Sequence, residues 1–285
     1  MGQTTVGVLN PGEMGSVVAA RAKEAGNRVV WTSQGRREET RRRAEAAGLE
    51  DAGSLRDLAA ASDVILSVCP PEAALDQARE VAAVGFDRIY VDGNAVSPAT
   101  TREIGRAIEG AGATFVDGGI IGPPPRKPGT TRLYVSGPGA SQVKSLFGDS
   151  ALNVIVLDAP IGAASAVKMA YASWTKGTSA LILNVRALAA IEGVEEALLA
   201  EWQTSQPQLI KRSEDAASGS APKAWRFVGE MEEIAATFAA AGLPDGFHLA
   251  AAEIWRRLSS YKDAPRPSVA DVVNVLLATR AGSRP

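Results

Sequence analysis

The apolar positions in the first half of the chain fall in short continuous runs, and those in the second half fall in long helical stripes. Strand-length runs rich in Val, Ile and Leu occupy Thr5 to Leu9, Arg28 to Thr32, Asp63 to Val68, Arg88 to Asp92, Thr114 to Asp117, Arg132 to Ser136 and Asn153 to Leu157. Helical segments lie between them. The alternation predicts a parallel sheet covered on both faces. From Ile161 no strand is predicted. Gly162 to Ile191 has no proline and is apolar around much of its circumference, which predicts one buried helix of about thirty residues, about 45 Å long. Further helices are predicted at Glu195 to Gln203, Pro207 to Ala217, Pro222 to Ala241, Phe247 to Tyr261 and Ser268 to Arg280, punctuated by Gly and Pro. The fold class is therefore α/β: a Rossmann-type domain over residues 1–160, followed by an all-α domain over residues 161–285.

The first strand runs into Asn10-Pro11-Gly12-Glu13-Met14-Gly15, then a small-residue helix from Ser16 to Ala25, then the second strand. Strand, glycine turn, helix and strand form the opening βαβ unit of a dinucleotide-binding fold. Gly12 lets the backbone approach a pyrophosphate, Gly15 lets the helix pack on the strand, and the amides at the helix start face the anion. Asn10 stands where the usual fingerprint has its first glycine, and asparagine tolerates the left-handed conformation such a turn can demand. After the second strand come Thr32, Ser33, Arg36 and Arg37, with no carboxylate until Glu38. An acidic residue there would hold ribose hydroxyls, whereas an arginine suits a 2′-phosphate, so the cofactor expected is NADP (NADPH). Ligands of such sheets sit at the carboxyl ends of the strands, which gathers Asn10 to Gly15, Ser33, Arg36, Cys69, Pro70 and Asn94 around one crevice.

Composition narrows the partners. The 285 residues allow a sizeable core, and 32 acidic against 30 basic side chains argue for neither nucleic acid nor a membrane surface. No run is long enough for a transmembrane helix, and the N-terminal apolar stretch is only a strand long, so no signal peptide is expected. One cysteine, Cys69, excludes an intrachain disulfide and fits a reducing cytoplasm. With one histidine, His248, no metal site is expected. His248 reads as packing or capping, and Trp225 and Phe227 read as core or as the lining of an apolar pocket.

Lys168 is the candidate chemical centre. It stands among small and apolar residues, with Ala164, Tyr171, Ala172 and Thr175 on its helix face. Desolvation there would favour a neutral amine, as a proton donor and acceptor near neutral pH requires, and Lys176 two turns on would add repulsion of the same sign.

The chain resembles the β-hydroxyacid dehydrogenase superfamily, which includes 6-phosphogluconate and 3-hydroxyisobutyrate dehydrogenases. Val6 to Gly15 is similar to that group's cofactor motif. Phe115-Val116-Asp117-Gly118-Gly119-Ile120-Ile121-Gly122 stands where the group keeps a substrate-binding glycine motif, and Gly162 to Lys168 has the spacing of its catalytic-lysine motif. Ala221 to Tyr261 resembles a helical domain of phosphogluconate-dehydrogenase-like oxidoreductases. The resemblance implies Lys168 as general acid/base and Asn94, Gly119, Ile120, Gly122, Tyr171 and Thr175 as substrate contacts, with Asn94 also at the nicotinamide end. It further implies a homodimer built through the long helix and the terminal domain.

Departures from the family pattern bear on the substrate. The serine and two glycines that bind a substrate carboxylate region are Ile121-Gly122-Pro123 here, with Arg126 and Lys127 following as anion anchors or loop surface. The family's asparagine pair becomes Tyr171 and Ala172, and Thr175 stands where phosphogluconate enzymes place a glutamate proton donor. The leading expectation is hydride transfer between NADP and a small hydroxyacid, ketoacid or other carbonyl compound, with Lys168 or Tyr171 handling the proton. The alternatives are an imine reductase for a larger apolar substrate and a non-catalytic NADP-binding protein.

Overall fold

A computed structural model describes residues 3–278. Its sheet has eight strands: β1 (Thr5–Val8), β2 (Arg28–Trp31), β3 (Glu50–Asp51), β4 (Val64–Ser67), β5 (Ile89–Asp92), β6 (Thr114–Ile121), β7 (Thr131–Ser136) and β8 (Leu152–Val156). They lie in the order β3-β2-β1-β4-β5-β6-β7-β8. Every neighbouring pair is parallel except β6 and β7, which run antiparallel with Gly119 opposite Tyr134. Interleaved are α1 (Glu13–Glu24), α2 (Glu38–Ala46), α3 (Leu55–Ala61), α4 (Ala74–Ala83), α5 (Pro98–Glu109) and α6 (Ala140–Ser145).

Alternate strand residues enter two cores, as the period of two requires. Val6, Val8, Val64, Leu66 and Val91 join Val18, Ala19 and Ala22 of α1 and Val143 of α6. Ile65, Tyr90 and Phe115 join Leu58 of α3, Ala78 and Val81 of α4, and Ile104 and Ile108 of α5. Helices α3 and α5 start on serine caps, with Ser54 Oγ accepting from Asp57 N at 3.2 Å and Ser97 Oγ from Thr100 N at 3.1 Å.

The long helix α7 runs Ala163–Ile191 and is followed by α8 (Glu195–Ser205), α9 (Gln208–Asp215), α10 (Ala224–Ala240), α11 (Gly246–Arg257) and α12 (Val269–Ala278). The last two residues of the helix expected to reach Arg280 lie outside the described residues. The chain forms two compact units, Met1–Met169 and Ala170–Pro285. The first includes the opening turns of α7, so it extends past the boundary expected between residues 160 and 161. In the second unit α10 packs on α11, with Phe227 edge-on to the fully buried Trp255 at a ring separation of 5.4 Å. Among the described residues no helix is long and apolar enough to cross a membrane.

Four features differ from the pattern expected. β6 continues four residues beyond Asp117, through Gly118 and Gly119. These glycines are strand residues because the neighbouring backbone comes close: a Cβ at Gly118 would stand 2.8 Å from Asp92 O, and one at Gly119 2.6 Å from Ala164 O. The antiparallel return follows from Gly122, whose φ of +123° starts the loop into β7. The two-residue β3 has no apolar signature, both residues being exposed, and exists only through its pairing with β2. Asn10 does not adopt the left-handed conformation; among the described non-glycine residues only Asp263 has positive φ.

Gly119→Ala would place its methyl 2.6 Å from Ala164 O and 3.0 Å from Lys168 Cβ. Such overpacking costs about 1–3 kcal/mol, a fall in Tm of about 2–10 °C. Gly12→Ala, with nothing within 4 Å of its new Cβ, should hold Tm within about 1–2 °C. Equal melting temperatures for the two variants would refute this account of the close approach.

Candidate active site

The phosphate end is built by the β1–α1 turn. Asn10 contributes its carbonyl, which accepts from Gly12 N at 2.8 Å. That same oxygen would lie 2.2 Å from a Cβ at Gly15, so glycine is needed for α1 to start beneath the turn. Gly12 faces open space, and the start of α1 carries no side-chain cap. A helix start without a side-chain cap, beside an open glycine, fits a pyrophosphate. Pro11 is buried and Met14 packs against the core, so these two shape the turn, while Glu13 is exposed in the first helical turn.

The β2–α2 turn holds a carboxylate that the linear sequence hides. Asp51, delivered by β3, accepts from Ser33 N at 3.1 Å and from Gly53 N at 2.8 Å. Burial works against its charged form, but Ser33, Gly53 and the Arg41 charge outweigh that and hold the carboxyl below its ordinary value. Ser33 O in turn accepts from Arg41 at 2.9 Å. Arg36 precedes the helix instead of starting it, since α2 begins with Glu38 and Glu39, the signs its dipole prefers. The Arg36 guanidinium is half-buried, its Nε has no hydrogen-bond partner, and desolvation lowers its pKa against the opposing charge of Glu80. It lines a cavity of about 190 Å³ with an apolar wall of Leu9, Leu55 and Val81 and a polar wall of Thr32, Gln34, Gln77 and Glu80.

At the ends of β4 and β5, Asn94 is 2 % exposed and both its Oδ1 and its Nδ2 are hydrogen-bonded. Its Oδ1 accepts from Cys69 N at 2.5 Å, and its Nδ2 donates to Ser67 Oγ at 3.1 Å and to Asp92 Oδ1. The side chain thus ties the two strand ends together and leaves one Oδ1 lone pair for a ligand. Cys69 is a thiol, its pKa pushed up to about 12 by burial and then by Asp92. Asp92 is wholly buried, with Oδ2 unpartnered; burial and the nearby Asp117 outweigh the Asn94 bond and push its pKa up to about 7. Pro70 is exposed at the head of the following turn.

Asp117, also fully buried, holds the start of α7. Its carboxylate accepts from Gly162 N and Ala164 N at 2.9 Å each, from Ser165 N at 3.2 Å, from Ser165 Oγ at 2.6 Å and from Ser136 Oγ at 2.9 Å. One turn on, Lys168 is half-buried and its Nζ donates to Ile120 O at 2.8 Å. Gly119 is the contact surface for Ala164 and Lys168, the Ile120 side chain joins the core, and Gly122 turns the loop, so the glycine motif serves the packing of α7 on β6. Arg126 and Lys127 are exposed on that loop.

In the second unit Tyr171 is 47 % exposed, and Thr175 Oγ1 donates to Tyr171 O at 3.2 Å within its own helix. Lys176 is not the repelling charge expected: it is paired with Glu230 of α10 and lies 4.8 Å from the Phe227 ring centre. His248 is buried against Phe238 at a ring separation of 4.2 Å, as a packing residue would be, and desolvation lowers its pKa. Phe227 is core, whereas Trp225 is 40 % exposed beneath Lys262. Among the described residues no cluster of His, Cys, Asp and Glu could hold a metal ion. Asp117, Asp92 and Asp51 were missed as site residues; an aspartate ending an apolar strand was the available signal for the first two.

Comparison with known proteins places this site in context. Residues 5–157 match the family model described as the NAD binding domain of 6-phosphogluconate dehydrogenase, and residues 189–258 match a domain of unknown function, DUF1932. A conserved protein of unknown function, its structure described as similar to 3-hydroxyacid dehydrogenases, is 30 % identical, with TM-score 0.67 over 90 % of this chain and 97 % of that one. The 3-hydroxyisobutyrate dehydrogenase of Mycobacterium tuberculosis, solved with L-serine, shares the fold at 18 % identity and TM-score 0.70, over 96 % of this chain and 99 % of its own. A reductive aminase from Aspergillus terreus, solved with NADPH and ethyl levulinate, shares it at 19 % identity and TM-score 0.55, over 98 % and 100 %.

Asp92 carries a pH prediction. Its carboxyl has a folded pKa of about 7 against an ordinary 3.8, so the folded state binds the proton more tightly. The stability it contributes is complete below the ordinary value and is lost as pH rises through about 7. Asp92→Asn is expected to melt above the parent at pH 8, with the gap narrowing steadily toward pH 5. A gap that does not change with pH would show that Asp92 holds no proton in the folded protein.

Proposed function

The chain belongs to the family built on the NAD binding domain of 6-phosphogluconate dehydrogenase, and from that premise we propose that it is an NADP-dependent oxidoreductase. Its substrate is a small hydroxyacid, ketoacid or other carbonyl compound, and Lys168 is its general acid/base. The observation that carries this reading is the bond from Lys168 Nζ to Ile120 O at 2.8 Å. That bond holds the lysine nitrogen beside the carboxyl end of the sheet's parallel part, where ligands of such sheets bind.

The bound dinucleotide supplies a hydride donor or acceptor at nicotinamide C4. This chain's own residues bind, orient and move the proton. The amides at the start of α1 and the open face of Gly12 receive the pyrophosphate, and Ser33 with Arg36 receives the 2′-phosphate. Asn94 keeps the β4 and β5 ends in register at the nicotinamide end. Lys168, held at Nζ, passes a proton to the carbonyl oxygen on reduction and takes it back on oxidation. Losing a positioned acid/base costs about 10²–10⁴ in rate. Lys168→Met should therefore lose at least about a hundredfold in kcat while binding NADPH as before. NADPH and NADH oxidation would be followed against matched panels of ketoacids, aldehydes and cyclic imines. Turnover confined to imines, or full kcat in Lys168→Met, would overturn the assignment.

The working unit in this proposal is a homodimer paired along α7. Tyr171, Trp174, Leu181 and Leu188 are 44–65 % exposed, and the last three recur at heptad spacing. A row of large apolar side chains at that spacing suits a second helix. Leu181→Asp with Leu188→Asp should convert a dimer into a monomer in sedimentation velocity; a parent protein that already sediments as a monomer refutes the pairing.

A further inference from the structure

We infer that Glu80 is a counterweight to Arg36 that limits how strongly the site prefers NADP over NAD. This rests on the proposed role of Arg36 at the 2′-phosphate. Both side chains line the same cavity of about 190 Å³, which opens beyond the ends of β1 and β2. Gln77, Glu80 and Val81 of α4 reach it together because positions three and four apart share a helix face.

Arg36 brings its charge to this cavity in a partly desolvated state, and its Nε lacks a hydrogen-bond acceptor. Glu80 is the carboxylate whose charge bears on it. Asp51, the other nearby acid, is already engaged by Ser33 N and Gly53 N. A 2′-phosphate entering the cavity therefore meets one cation and one uncommitted anion. Glu80 weakens the positive field that Arg36 offers the phosphate and repels it, whereas a free ribose hydroxyl can donate to the same carboxylate. Glu80 thus favours NADH where Arg36 favours NADPH, and the balance is modest by construction.

The test is the ratio of Kd for NADH to Kd for NADPH, measured without substrate by equilibrium dialysis and by quenching of the intrinsic tryptophan fluorescence. The parent, Arg36→Gln and Glu80→Gln are compared at one ionic strength. Glu80 is exposed on its helix, so the isosteric change leaves the fold intact, and unaltered Tm would confirm that. Arg36→Gln should lower the ratio about tenfold, the loss of one charge-assisted bond. Glu80→Gln should raise it about two- to fivefold, the scale of a solvent-screened interaction between charges that are not in contact. A ratio unmoved or lowered by Glu80→Gln, while Arg36→Gln still lowers it, overturns the counterweight alone. A ratio unmoved by Arg36→Gln overturns the NADP reading itself, and the counterweight with it.

Discussion

The first unit depends on one buried charge. Asp117 lies in the middle of the sheet with no exposed atoms, where an unpaired carboxylate would cost several kcal/mol. What makes it tolerable is the start of α7: three backbone amides and two serine hydroxyls converge on its two oxygens. The helix contributes about half a positive charge at that end, so the carboxylate and the helix each supply what the other lacks. The interaction fixes the first turns of α7 on the sheet. Lys168, one turn past the clamp, inherits its position from it, and Gly118 and Gly119 remove the side chains that would hold the elements apart.

The clamp has an electrostatic consequence next door. Asp92 is the register partner of Asp117 on β5, so two buried carboxyls sit on adjacent strands. Helix amides and hydroxyls go to Asp117, whereas Asp92 is served by Asn94 alone, through its side-chain and backbone N–H groups. The division is asymmetric: Asp92 is the group whose proton binding rises. Through Asn94 that carboxyl is joined to Cys69 N, so the loop after β4 is held by a neutral or singly charged network instead of an ion pair.

Legibility from sequence followed the range of the interactions involved. The strands of Val, Ile and Leu, the Gly15 contact and the uninterrupted α7 are local patterns, and each was readable within a few residues. β3 was not, because Glu50 and Asp51 have no apolar periodicity and pair only when β2 is already in place. With it went Asp51, which reaches Ser33 from eighteen positions away in the chain. The extension of β6 was hidden because glycines read as turns, and only the Ala164 backbone reveals why a strand needs one at position 119. The same blindness made Lys176 look like a free positive charge, since its Glu230 partner lies on a distant helix.

The altered residues beyond Ile120 can now be separated from the proposed proton chemistry. Lys168 is located by a main-chain carbonyl, by the bare α-carbon of Gly119 and by the Asp117 clamp, and none of these uses a side chain from positions 121–123. Replacing a family serine and two glycines by Ile121-Gly122-Pro123 therefore changes what can anchor a substrate without displacing Nζ. Ile121 is buried and Gly122 serves the turn into β7, so neither offers a hydroxyl or a charge to a carboxylate. The lysine proposed as acid/base and the loop after Ile120 are thus positioned independently, so a change in that loop can alter what anchors a substrate without altering the proposed proton chemistry.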